Sequence, residues 1–60
     1  MIIESVVLLG DVPCIVLVEI EPMKILKWKF PSTDLWYSPD VLPTKRIRSW
    51  EQELRQMIQN

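Results

Sequence analysis

MIIESVVLLGDVPCIVLVEI consists of two β-branched, apolar runs separated by the only glycine in the chain. No other feature restricts the fold as much. Val and Ile fit a pleated surface better than a helix, so each run reads as a strand. Gly10-Asp11-Val12-Pro13 supplies turn chemistry between them, because glycine tolerates unusual dihedrals and proline fixes one. The two runs therefore form a hairpin. In the first strand, Ile2, Glu4, Val6 and Leu8 share one face and Ile3, Ser5, Val7 and Leu9 the other. In the second, Cys14, Val16, Val18 and Ile20 oppose Ile15, Leu17, Glu19 and Glu21. Both faces are apolar near the tip, which a hairpin solvated on one side would not show.

Glu21-Pro22-Met23 breaks the pattern, and KILKWKF resumes it. Strict alternation places Leu26, Trp28 and Phe30 opposite Ile25, Lys27 and Lys29. Sequential strands with short connections pair antiparallel, so this segment is the third strand. The period then changes. In TKRIRSWEQELRQMIQN, residues Ile47, Trp50, Leu54, Met57 and Ile58 recur at helical spacing. A helix is expected from about Lys45 to Gln59, with Thr44 as N-cap and Ser49 with Gln52 as a competing capping box. Glu51 and Arg55 are in the favourable i,i+4 order and are expected on its wet side. The fold class is α+β: a three-stranded antiparallel sheet followed by one C-terminal helix packed on one face, in a single small domain spanning 1–60.

A 60-residue chain buries only about 60% of the surface its unfolded form exposes. If the helix covers Leu26, Trp28 and Phe30, then Ile3, Val7, Leu9, Ile15 and Leu17 still need cover. A homo-oligomer (a homodimer in the simplest case) or a protein hetero-complex would provide it; the alternative is a loop folded back on the sheet. An internal disulfide cannot help, since Cys14 is the only cysteine. It is expected to be a small buried strand residue.

Several functions are disfavoured by what the chain lacks. There is no histidine, no glycine-rich phosphate loop and no thiolate cluster, so neither a catalytic, a cofactor-binding nor a metal-binding residue is assigned, and no enzymatic activity is expected. Apolar residues make up 48% of the chain, yet Glu4, Asp11, Glu19 and Glu21 interrupt the richest run well short of the roughly 20 residues a span requires. A non-membrane, cytoplasmic protein is expected.

Residues 31–43, PSTDLWYSPDVLP, form an irregular connection punctuated by Pro31, Pro39 and Pro43. Long connections without a regular element are commonly functional. Leu35, Trp36 and Tyr37 form an aromatic anchor, with Tyr37 the better exposed contact and Trp36 divided between core cover and interface. The net charge of −1 conceals a segregation: residues 1–23 carry four acids and no base, whereas Lys24, Lys27, Lys29, Lys45, Arg46 and Arg48 cluster in 24–48. Leu35, Trp36, Tyr37, Lys45, Arg46 and Arg48 are the candidate partner-binding residues of a small interaction, regulatory or accessory protein. The alternative is a single-stranded or duplex nucleic-acid-binding module using the basic 24–48 region.

Overall fold

Gly10 has φ of +62°, and no other residue has a positive φ among those described. With Asp11 it forms a two-residue loop closing Leu9 opposite Val12. Positive φ at the first loop position alone is the type II′ pattern, which matches the twist of the strands it joins and favours glycine there. The computed structural model describes residues 1–58. Its elements are β1 (Ile2–Leu9), β2 (Val12–Glu19), β3 (Lys24–Lys29), a 3₁₀ turn (Pro39–Val41) and α1 (Thr44–Ile58). The sheet order is β1-β2-β3, antiparallel throughout. The expected α+β architecture is thus the observed one.

The core lies between the sheet and α1. It consists of Val7, Cys14, Val16, Val18, Ile25, Trp28, Trp50 and Leu54, with Ile3, Leu9, Met23, Phe30, Tyr37, Leu42 and Ile47 packed around it. Ile3, Val7 and Leu9, expected to need another cover, therefore lie on the helix side. Ile15 and Leu17 do lie on the opposite, outer face, because they alternate with buried Cys14, Val16 and Val18.

The faces of β3 differ from strict alternation. Leu17 pairs with Lys27 but Val18 pairs with Ile25, so Leu26 is the extra residue of a β-bulge. The bulge brings Ile25 onto the core face with Trp28 and leaves Leu26 exposed. Ile25 is β-branched and Leu26 is not, and the buried place beside Val18 goes to the better strand residue. The helix closes over the bulge: the Ile25 amide donates to Glu51 Oε2 at 3.4 Å. Glu51 consequently turns toward β3 rather than to the wet side.

α1 starts one step earlier than expected. The Pro43 carbonyl accepts from the amides of Arg46 and Ile47, so Pro43 takes the capping position and Thr44 lies within the first turn. The helix runs unbroken through Ser49. Its expected last residue, Gln59, lies outside the described residues. Trp50 and Leu54 are fully buried, whereas Met57 (63% exposed) and Ile58 (42%) extend past the sheet and do not join the core.

Stability should follow this division. Leu54→Ala should cost about 2–5 kcal/mol by urea denaturation. Met57→Ala, on the same stripe but exposed, should stay within about 0.5 kcal/mol. Equal losses at the two positions would contradict the packing.

Candidate functional site

Trp28 holds the irregular connection in place. The Tyr37 amide donates to the Trp28 carbonyl at 2.7 Å, and the Trp28 amide donates to the Tyr37 carbonyl at 3.1 Å. This one-residue antiparallel bridge adds Tyr37 to the free edge of β3. The Trp28 indole Nε1 also donates to the Ser38 carbonyl at 3.1 Å. Ser38 then caps the 3₁₀ turn, its hydroxyl accepting from the Asp40 amide at 3.2 Å. Lys29 Nζ donates to the Thr33 carbonyl at 2.8 Å. Pairing partners point their side chains to the same face. Tyr37 therefore stacks on the buried Trp28 ring at 4.8 Å and meets Phe30 edge-on at 6.2 Å.

Strand alternation sends the preceding residue to the other face. Trp36 lies on the outer side of the sheet, with Lys27 Nζ 4.6 Å and Lys29 Nζ 5.6 Å from its ring centroid. Both distances lie within the range of cation–π attraction. The expectation of Tyr37 as the better exposed contact is thus corrected, and of the two roles expected for Trp36 the structure favours the surface one. Tyr37 closes the core edge, and Trp36 is the half-buried surface aromatic; Leu35 is exposed.

The basic candidates lie elsewhere. Lys45 and Arg46 line a shallow cleft of about 390 Å³ with Pro43 and Ser49 on α1, and Arg48 is exposed outside that lining. α1 packs on the core face, so these three residues do not join Trp36 in one patch. Lys27 and Lys29 are the basic residues beside it.

The apolar sheet is expected from the sequence to take a protein partner, but over Ile3, Val7 and Leu9 as well as Ile15 and Leu17; the β1 residues that stay open lie on the face opposite Ile3, Val7 and Leu9. Ile2, Val6 and Leu8 of β1 are 59%, 61% and 54% exposed, and half-buried Ile15 and Leu17 of β2 lie between them and Lys27, Lys29 and Trp36. The alternation within IIESVVLL carried the signal, because its even positions are as apolar as its odd ones.

The titratable groups that are shifted have structural causes. Cys14 is completely buried, and desolvation pushes its thiol above the ordinary value, partly offset by a backbone hydrogen bond with Leu9. A thiol held neutral in this way is a poor nucleophile. At the open end of the hairpin, the Met1 amino group lies 2.7 Å from Glu19 Oε2. Hydrogen bonding from that amine holds the Glu19 carboxyl below the usual glutamate value against the opposing desolvation, with further help from the amine's positive charge and the Ile20 amide. Among the described residues no group of three or more His, Cys, Asp and Glu side chains is placed to hold a metal ion, and no helix is long and apolar enough to cross a membrane.

Comparison with protein-family models, curated proteins and solved structures finds no match to this chain.

Two measurements test this geometry. Tyr37→Ala should cost about 2 kcal/mol or more, as removal of a packed aromatic, while Trp36→Ala should cost about 1 kcal/mol or less, the range of an exposed cation–π contact. Urea denaturation of both variants checks the order, and a larger loss at Trp36 would reverse the assignment. Because the folded-state pKa of Glu19 is depressed, its pairing stabilises the hairpin above the unfolded pKa and is lost as pH falls through the folded one. Carboxyl NMR should give Glu19 a midpoint below that of an ordinary glutamate, and acetylating the Met1 amine should raise it.

Proposed function

We propose that this chain is a small protein-binding module whose contact surface is the outer face of its sheet, with Trp36 as the aromatic anchor. A single observation carries the reading: Ile2, Val6 and Leu8 stay exposed in a line along β1, on the same face as the lysine-flanked Trp36. Contiguous exposed apolar surface rimmed by charge marks interaction sites. Trp is enriched in the desolvated centres of interfaces, and Lys27 and Lys29 hold this one without an enclosing pocket. A binding role without catalysis fits the neutral, buried Cys14 thiol. A regulatory or accessory role is the biological form of such a module.

The sequence-based anchor is retained in part. Trp36 stays central, Leu35 lies at its exposed rim, and Tyr37 contributes by fixing where Trp36 stands. Lys45, Arg46 and Arg48 face a separate side, where they are available to an acidic region of a large partner. The basic residues of 24–48 are divided between the outer face and α1, so they form no single track for a phosphate backbone.

Site-specific photo-crosslinking tests the surface directly. A crosslinker at Val6 should form protein adducts in native extract, and one at Glu53, exposed on α1, should not. Trp36→Ala should reduce the Val6 adducts at least severalfold while circular dichroism stays unchanged. Adducts from Glu53 only would relocate the binding face. Saturable binding of single-stranded or duplex probes at physiological salt, abolished by Lys27→Glu, would favour the nucleic-acid alternative.

A further inference from the structure

Strand register sets which outer-face residues lie side by side. Glu4 pairs with Leu17 and Leu17 with Lys27, so an acid, an aliphatic residue and a base cross the sheet in one row. The neighbouring row is Val6, Ile15 and Lys29. A two-fold axis running along β2, between two stacked copies of this face, keeps each row at its own height and exchanges the two sheet edges. Glu4 of one copy then stands over Lys27 of the other, and Leu17 and Ile15 meet their own equivalents on the axis. Val6 lies beneath the Lys29 stem and the Trp36 ring of the second copy. The raised aromatic ridge beside β3 therefore fills the lower ground over β1.

We propose that the occupant of the outer face is a second copy of this chain, stacked face to face about that axis, with Glu4–Lys27 pairs on both flanks of a Leu17–Ile15 centre. The inference rests on the protein-binding reading above and commits it to one partner. Alternative symmetric arrangements meet like charges. An axis across the strands lays β3 over β3, bringing Lys27 and Lys29 toward their own equivalents. Pairing along the β1 edge is also obstructed. The Ile20 amide donates to the Met1 carbonyl, so the odd residues of β1 bond to β2 and Ile2, Glu4, Val6 and Leu8 point their backbone groups outward. Trp50 Nε1 already occupies the Leu8 carbonyl at 2.8 Å, which removes one end of that edge. The longest register that leaves Leu8 out centres Glu4 on Glu4.

Area is sufficient. A stable interface takes about 800 Å² from each partner, about one fifth of the 4340 Å² surface. The broad side of a body measuring 30 × 22 × 19 Å supplies an area of that order.

Sedimentation equilibrium over a concentration series tests the pairing by charge reversal. The 60-residue chain should be dimeric. Glu4→Lys and Lys27→Glu should each raise the dimer Kd about tenfold or more, since each opposes like charges across the interface. Both substitutions in one chain should return Kd to near the starting value, because the two-fold pairs each reversed residue with the other. Circular dichroism shows that the variants stay folded. A monomer at high micromolar concentration overturns the proposal, as does a doubly substituted chain that remains as weak as either single one. The two failures separate cleanly: a monomer whose Val6 crosslinker captures a different protein sinks the second copy and keeps the binding face, whereas a monomer forming no adduct from Val6 sinks both.

Discussion

Trp28 is the residue on which the rest of the structure depends. It is buried under α1, with Trp50 edge-on at 6.1 Å and Phe30 edge-on at 5.3 Å. Its backbone holds Tyr37 and its indole N–H holds Ser38. One side chain thus serves the core and the irregular connection together. Removing it would open a cavity, take away the ring on which Tyr37 stacks and leave the Ser38 carbonyl without its donor. Those losses are coupled, because one side chain makes all of these contacts. With eight buried core residues among those described, there is little else to absorb them.

Trp28 also decides which surface is presented. Its bridge fixes the parity of the connection, so Tyr37 turns inward and Trp36 outward beside Lys27 and Lys29. The bulge at Leu26 has a matching effect on the other end of β3, letting Ile25 and Trp28 share the core face although three positions separate them. Without the bulge, either Ile25 or Trp28 would face solvent. The result is a sheet with one face under α1 and the other bearing aliphatic residues on β1 and β2, with Glu4 on β1 and Lys27 and Lys29 on β3.

The elements were legible in the sequence because each rests on a local pattern: β-branched alternation for β1 and β2, the Gly10 turn, and the helical recurrence of Trp50 and Leu54. The faces of β3 were not legible. A bulge is set by which residue fits beside Val18 across the sheet, and alternation within KILKWKF contains no record of that partner. The roles of Trp36 and Tyr37 were hidden for the same reason, since both are aromatic and a nonlocal hydrogen bond 9 residues upstream of Tyr37 sorts them. Met57 and Ile58 follow the helical stripe faithfully but extend past the end of a short sheet, so periodicity named the right side of the helix and overran the core.

Both edges of the sheet carry an aromatic closure. Tyr37 pairs with β3 through its backbone, and Trp50 reaches the Leu8 carbonyl of β1 with its indole N–H. Exposed edges invite pairing with any extended chain, and proteins commonly blunt them. Here the blunting uses residues that also build the core, a necessity in a chain too short to spare side chains for that purpose alone. The outer face is left open by contrast. Ile2, Val6 and Leu8 leave more than half of their surface in water, so they contribute little to the hydrophobic stabilisation of an isolated chain and add a solubility cost. Three of four outward positions on β1 are aliphatic rather than polar, although packing under α1 does not call for it there; the association proposed for that face would.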